Sequence, residues 1–105
     1  MNDIPKNASR GDFTFWYDMA TRWNDNDQLG HVNNVLYYSY FEACVVHFVQ
    51  TECDNDWKKS SHLPYAAETS CRFIQPVTFP SHLNVGLKVT HIGRSSVKYS
   101  LALFV

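Results

Sequence analysis

The chain has 105 residues, of which 45% are hydrophobic, 15% aromatic and 18% charged, and its formal net charge is −1. This length predicts a single globular domain, and a near-neutral chain without a basic stripe does not have the electrostatic pattern of a nucleic-acid-binding protein. No apolar run approaches the roughly 18 residues that a membrane-spanning helix needs, and the polar N-terminus has no apolar signal-peptide core.

The cysteines indicate the redox environment of the protein. Cys44, Cys53 and Cys71 are odd in number and lack the paired spacing of a disulfide or zinc framework. They are therefore expected to be free thiols in a reducing compartment, which predicts a cytoplasmic location.

The first element is a strand that follows a polar lead. Residues 1–12 are predicted to be disordered, and residues 13–105 to form the domain. From Phe13 to Trp23 the side chains alternate as in a strand, and one face is strongly apolar. The predicted members of that face are Phe13, Phe15, Tyr17, Met19, Thr21 and Trp23.

A helix is predicted over residues 35–50, VLYYSYFEACVVHFVQ, after a polar run at 21–34, TRWNDNDQLGHVNN. Two adjacent apolar stripes cover much of the helix circumference. A helix of this kind is usually wrapped by a sheet or buried in an interface. Because Tyr, Val and Phe are only middling helix formers, packing must stabilise it.

Three further strands are predicted, over residues 65–75, 84–92 and 95–105. Pro76 and Pro80 interrupt the first connection, and a tight turn after residue 92 makes the last two strands a hairpin. The order strand, helix, strand, strand, strand predicts an α+β architecture, with an antiparallel sheet holding one long helix.

The last predicted strand reaches Val105 without a cap or a polar tail. Such an ending leaves a bare hydrophobic edge, which soluble proteins normally protect. The expectation is that a partner covers this edge or that the chain is a fragment.

The polar run at 21–34 has three interpretations. As a metal site it fails the calcium-loop spacing, because Leu29 and Leu36 fall where oxygen ligands are needed. As a helix start it is well suited, since asparagine is a favoured N-cap and glycine allows a turn. As a reaction site it combines a carboxylate with helix N-terminal N–H groups that can hold an oxyanion, the two parts needed for acyl transfer.

The segment RWNDNDQLGHVNNVLYYSYFEA closely resembles the signature of the hotdog-fold acyl-CoA thioesterases, the 4-hydroxybenzoyl-CoA thioesterase-like family. Spacing, glycine, histidine and asparagines all coincide, and FIQPVTFPSHLNVGLKVTHIGRSSVKYSLALF is similar to the later strands of the family. The resemblance implies a hotdog fold, in which a sheet wraps one long helix, and hydrolysis of an acyl-CoA without metal or redox cofactor. Family members carry one more strand beyond the position of Val105.

The resemblance also implies roles for individual residues. Asp27 matches the catalytic carboxylate, either nucleophile or general base, and the backbone N–H of Asn34 matches the group that polarises the thioester carbonyl. Gly30 matches the turn glycine that lets backbone and substrate approach. His31 and Asn33 match substrate-site positions that shape the loop rather than do chemistry.

A second group of substrate-binding residues is implied in the last hairpin. Arg94, Ser95 and Ser96 fall where related enzymes hold the CoA nucleotide and pantetheine, often from the partner subunit. Arg94 is alternatively only a hairpin-turn residue. Hotdog proteins typically share the active site across a dimer interface, so the resemblance implies a dimer or a tetramer.

The other polar residues are predicted to be structural. Asp25 is expected to hydrogen bond within the loop, His47 to be a partly buried packing residue, and Cys44 to be a small hydrophobe. Glu68 is on the second predicted strand, and alternation does not decide whether it faces the cleft. The tyrosines Tyr37, Tyr38 and Tyr40 are expected in the core and interface, with an acyl-pocket wall as the minor interpretation.

Two rival functions stay open. A hotdog dehydratase or hydratase would use a histidine beside an acid in a different motif. A non-catalytic acyl-thioester-binding domain is compatible with the short chain. The acyl preference does not follow from any single stretch, because folding and pairing build the pocket.

Overall fold

The structure is a computed structural model that describes residues 8–52 and 68–105. In those residues the chain forms two short 3-10 helices, one α-helix and three strands. In chain order these are a 3-10 helix at Arg10–Asp12, β1 at Phe15–Ala20, a 3-10 helix at Trp23–Asp25, α1 at Asn34–Glu52, β2 at His82–Ile92 and β3 at Val97–Phe104.

The three strands form one antiparallel sheet in the order β1-β2-β3. Phe15 pairs with Leu87 and Ala20 with His82, so β1 ends beside the start of β2. The β2–β3 pair shifts register between Val89 and His91. The helix α1 packs against this sheet, which confirms the predicted α+β architecture. No helix in the described part of the chain is long and apolar enough to cross a membrane.

The core lies between α1 and the face of the sheet that alternate strand residues share. Leu83, Val85 and Leu87 of β2 and Cys44 of α1 are completely buried. Phe15, Tyr17 and Met19 of β1 pack against this cluster, as the predicted alternation requires. Each fully buried Val or Leu side chain contributes about 1.5–3 kcal/mol relative to exposure, so β2 is the strand that anchors the helix.

The predicted apolar face of the first strand is wrong at its ends. Phe13 precedes β1 and lies on the opposite face of the sheet, where its ring centroid is 6.1 Å from that of Trp16 and 6.0 Å from that of Phe104. Trp23 follows the strand and belongs to the second 3-10 helix. Strand alternation applies only while the backbone stays extended, and the chain turns on both sides of β1.

The predicted disorder of residues 1–12 is also wrong in its last part. Arg10–Asp12 is a short 3-10 helix, in which the Ser9 N–H donates to Asp12 Oδ2 over 2.9 Å. The Arg10 guanidinium donates to Asn84 Oδ1 over 3.0 Å and lies 4.9 Å from the centre of the Phe104 ring. These contacts hold the segment on the outer face of the sheet. Residues 1–7 lie outside the described residues.

The strand predicted at 65–75 is not found in its described part. Residues 68–75 have no regular secondary structure, and 65–67 lie outside the described residues. Both apolar residues of the FI pair, Phe73 and Ile74, are exposed, at 40% and 64%. A strand is stabilised by pairing, and no described strand pairs with this segment. Glu68 is exposed on this irregular segment and not on a strand.

Candidate active site at the start of the long helix

The loop before α1 is a tight hairpin. Asn26 and Val32 form an antiparallel bridge, the Asp27 N–H donates to the His31 carbonyl over 2.9 Å, and the Gly30 N–H donates to the Asp27 carbonyl over 3.1 Å. Gly30 has φ +82°, a left-handed conformation that side chains other than glycine rarely adopt. This explains the glycine of the motif and confirms the predicted turn.

Asp27 presents its carboxylate at this hairpin. The residue is exposed, and its Oδ1 accepts the Leu29 N–H over 2.8 Å. That bond orients the carboxyl group, while Oδ2 has no hydrogen-bond donor among the described residues. A cavity of about 450 Å³ opens beside it, lined by Trp23, Asn24, Asn26, Asp27, Gln28 and Gly30.

The helix begins with asparagine, as predicted, and Asn33 is the residue that caps it. Its Oδ1 accepts the Val35 N–H over 2.9 Å, and its carbonyl accepts the Leu36 N–H over 2.9 Å. Its own N–H donates to the Asp25 carbonyl over 3.0 Å. Asn34 is the first helical residue, and its N–H meets no acceptor in the described parts of the chain. Helix N-termini carry such unsatisfied donors and a positive partial charge, so this group can hold an anion.

Asp25 is only 2% exposed and is saturated with hydrogen bonds. Its Oδ2 accepts the Arg22 N–H and the Tyr40 hydroxyl, each over 2.8 Å, and its Oδ1 accepts the Arg22 guanidinium over 3.2 Å. Burial alone would raise the pKa of Asp25, but the bonds from the Arg22 N–H, the Tyr40 hydroxyl and the guanidinium together hold the pKa below its usual value. The structural interpretation of Asp25 is therefore confirmed.

The segment from Val77 to Phe79 supports the hairpin from outside. The Val32 N–H donates to the Val77 carbonyl over 2.7 Å, and the Phe79 N–H donates to Asn26 Oδ1 over 3.0 Å. The rings of Trp23 and Phe79 meet edge to face, with centroids 5.7 Å apart. The hairpin is thus fixed on its outer side by a segment 45 to 56 residues further along the sequence, a contact that the sequence does not signal.

The residues implied for CoA binding lie in the turn between β2 and β3, not in the Asp27 hairpin. Arg94, Ser95 and Ser96 are exposed in the turn between β2 and β3, where the Gly93 N–H donates to the Ser96 carbonyl over 2.7 Å. This turn follows the end of β2 at Ile92, whereas the Asp27 loop follows β1, whose last residue pairs with the first residue of β2. One chain therefore does not bring Arg94, Ser95 or Ser96 to Asp27. His31 is exposed in the hairpin, close in sequence to Asp27.

The helix residues behave mostly as packing groups. Burial raises the pKa of the Cys44 thiol to about 11, which keeps it protonated and confirms it as a small hydrophobe. His47 is exposed rather than partly buried, although its ring lies 4.8 Å from that of Tyr17. Tyr37 and Tyr40 are in the core, as predicted, whereas Tyr38 is 41% exposed.

Two features of the site were not predicted from the sequence. Tyr40 is the buried partner of Asp25, and burial followed by its bond to that carboxylate raises its pKa. Trp23 lines the cavity beside Asp27 instead of lying on a strand face. The signal for Trp23 was its position just before the acidic motif, where a strand is expected to end. Within residues 8–52 and 68–105, no group of three or more His, Cys, Asp or Glu side chains is placed to hold a metal ion.

Comparison with known proteins identifies the family that this chain matches. The sequence model of the Thioesterase superfamily matches residues 29–105. The PA5185 protein of Pseudomonas aeruginosa is 38% identical, with a TM-score of 0.88, over 91% of this chain and 67% of that chain. A thioesterase of Thermus thermophilus, solved with coenzyme A and zinc, is 27% identical, with a TM-score of 0.77, over 87% of this chain and 71% of that one.

The curated relative YsmA of Bacillus subtilis is 25% identical over 96 residues, which are 90% of this chain. This chain spans 64% of the length of that protein.

Proposed function

Because this chain belongs to the Thioesterase superfamily and has its hotdog fold, we propose that it is an acyl-CoA thioesterase, which hydrolyses a thioester to the free acid and CoA. One observation carries the proposal. The hairpin that carries an exposed carboxylate, Asp27, leads into a helix whose first N–H, that of Asn34, is unsatisfied among the described residues. The Thermus relative, solved with coenzyme A, supports CoA as the thiol component.

Asp27 supplies the reactive carboxylate by one of two routes. As a nucleophile, Oδ2 attacks the carbonyl carbon, the C–S bond breaks, and water then hydrolyses the mixed anhydride. As a general base, Asp27 takes a proton from the water that attacks the carbonyl. In both routes CoA leaves as the thiolate and takes up a proton.

Asn34 acts through its backbone in either route. The carbonyl oxygen becomes negative in the transition state, and the Asn34 N–H at the positive end of a 19-residue helix stabilises that charge. Asn33 caps the same turn and the Asp25 carbonyl holds Asn33, so the donor is fixed before substrate binds.

The remaining parts of the proposal concern assembly. In a dimer, Arg94, Ser95 and Ser96 of one subunit bind the CoA portion of the substrate in the active site of the other subunit. Within one chain their turn and Asp27 lie at opposite ends of the sheet. Gly30, His31 and Asn33 shape the loop against the substrate. The free thiols of Cys44 and Cys71 agree with a cytoplasmic protein.

The first test replaces Asp27 with asparagine. The change keeps the shape of the side chain but removes the charge, so release of free CoA thiol from a panel of acyl-CoAs is expected to fall by roughly a hundredfold or more. The control is Asp18→Asn, an acid-to-amide change on β1, outside the hairpin. Equal rates in the parent and Asp27→Asn would exclude Asp27 as the reactive group. Tight CoA binding without turnover, unchanged in Asp27→Ala, would instead favour a non-catalytic binding domain.

The second test removes the N–H of Asn34. Proline is tolerated at the first position of a helix, where it lacks only a donor that the helix does not use. Asn34→Pro is therefore expected to keep α1 and to lower kcat by about a hundredfold or more, the cost of losing one oxyanion donor. Asn34→Ala retains the N–H and is expected to be at least about tenfold more active than the proline variant. Equal activity of the two variants, with equal helix content by circular dichroism, would contradict this role.

A further inference from the structure

We infer that Trp23 sets the acyl preference of the enzyme by forming the apolar wall against which the acyl group of the substrate lies. The inference rests on the proposed thioesterase function and names a specificity-determining residue for it. The substrate class is a thioester whose acyl group is apolar and extends beyond the carbon next to the carbonyl.

The first observation is the exposure of Trp23 within the Asp27 cavity. The indole is 73% exposed, although tryptophan is usually well buried. It lines the same cavity as the candidate catalytic carboxylate. Among the residues lining that cavity, the others are glycine or polar, so Trp23 provides its one large apolar surface.

The second observation is that Trp23 is held in place. Its ring meets the Phe79 ring edge to face at 5.7 Å, and the Phe79 N–H is bonded to Asn26 Oδ1, within the hairpin of Asp27. Trp23 is the first residue of the short 3-10 helix that ends at Asp25, and the Asp25 carboxylate is buried and fully hydrogen bonded. A fixed aromatic surface loses little conformational entropy when a ligand packs on it, which favours binding.

The chemistry of the thioester decides which part of the substrate meets this wall. The adenine of CoA is separated from the reacting carbonyl by the long pantetheine arm, whereas the acyl group is bonded directly to that carbonyl and must lie beside Asp27 when the carbonyl does. The pantetheine arm carries amides, which suit polar side chains such as Asn24 and Gln28. An apolar acyl chain or ring gains most from the indole, because burying both apolar surfaces is favourable.

The test measures selectivity rather than rate. For the parent and for Trp23→Ala, kcat/KM is determined with acetyl-CoA, hexanoyl-CoA and phenylacetyl-CoA. The ratio of each longer substrate to acetyl-CoA is expected to fall by about tenfold or more in Trp23→Ala, the scale on which apolar pockets discriminate. Trp23→Phe keeps an aromatic ring and is expected to retain most of the ratio. A ratio has the further advantage that it does not depend on the fraction of enzyme that is folded.

The matched control is Trp16→Ala, which removes the same side chain from the outer face of the sheet, beside Phe13 and Phe104. Its substrate ratios are expected to match those of the parent. Unchanged ratios in Trp23→Ala, or an equal change in Trp16→Ala, would overturn the inference.

A binding measurement separates this inference from the proposed function. In an Asp27→Asn background, the dissociation constants of phenylacetyl-CoA and acetyl-CoA are compared by calorimetry with and without Trp23→Ala. If the parent hydrolyses none of the thioesters, the proposed function fails, whereas the binding ratio still decides the role of Trp23. A binding ratio that is the same with tryptophan and alanine would overturn that role, and a drop of about tenfold would support it.

Discussion

Two aspartates of the motif, Asp25 and Asp27, differ by two positions in sequence but lie in opposite environments. Asp25 is buried and receives bonds from the Arg22 backbone, the Arg22 guanidinium and Tyr40. Asp27 is exposed, with one oxygen bonded to the Leu29 N–H. A carboxylate that is fully bonded is poorly available for reaction, so these environments fit a structural role for Asp25 and the reactive role that we propose for Asp27.

Tyr40→Phe tests the structural half of this division. The change removes one of the two donors to Asp25 Oδ2, the other being the Arg22 N–H, and loss of a hydrogen bond to a charged group costs about 1.5–3 kcal/mol. The free energy of unfolding, measured by urea denaturation, is expected to fall by that amount. Tyr38→Phe is the matched control, because Tyr38 is 41% exposed on the same helix, and a surface change of this kind is expected to stay within about 0.5 kcal/mol. Equal stability of the two variants would mean that the Asp25–Tyr40 bond contributes nothing.

The outer face of the sheet shows how one small residue organises an element. Gly86 of β2 pairs with Trp16, and a Cβ at Gly86 would lie 2.9 Å from Cβ and Cγ of Phe13. The Phe13 side chain is buried and occupies the space that a side chain at position 86 would need. The Arg10–Asp12 turn places Phe13 there, and the Arg10 guanidinium covers the neighbouring Phe104 ring. The glycine therefore makes room for the N-terminal segment on the face opposite α1.

Gly86→Ala is expected to displace Phe13 and to lower the free energy of unfolding by about 1–3 kcal/mol, the usual cost of overpacking. The control is Gly11→Ala, where an added Cβ meets no atom within 4 Å. Both variants are compared by urea denaturation, with thermal melts as a second measure. If Gly86→Ala unfolded at the same urea concentration as Gly11→Ala, the packing of Phe13 on the sheet would have no energetic weight.

The same elements show what the sequence could predict. Periods of two and of 3.6 residues located β1, α1, β2 and β3, because each buries one face on a shared core. Phe13 lies on the face opposite to the predicted one because periodicity does not show where a strand begins. The prediction of a strand at 65–75 is wrong in its described part, because the local sequence does not show whether a segment pairs with another strand. Within the site, the family resemblance predicts a role for Asp27, and the asparagines predict the helix start, whereas the Tyr40 and Phe79 contacts depend on tertiary packing.

Within one chain, the turn at Arg94 and the Asp27 loop lie at opposite ends of the sheet. From His82 to Ile92 an extended strand rises about 33 Å at ~3.3 Å per residue, and the Arg94 turn lies beyond its far end. The Asp27 loop follows β1, whose last residue Ala20 pairs with His82 at the near end. In a two-fold dimer the same surface of each chain meets its copy, and the dimer that we propose would bring each Arg94 turn to the Asp27 loop of the other chain.

Subunit complementation tests this arrangement. Asp27→Asn and Arg94→Ala chains, each poorly active alone, are co-expressed with different tags so that mixed dimers form. A mixed dimer has one site with both substitutions and one with neither, so random pairing is expected to restore about a quarter of the parent activity. Mixing Asp27→Asn with Asn34→Pro is the control, because both groups come from one chain and no intact site is formed. No recovery in the first mixture, despite isolation of doubly tagged dimers, would show that Arg94 does not serve the partner's site. Recovery in the control mixture would show that Asp27 and the Asn34 N–H act from different chains.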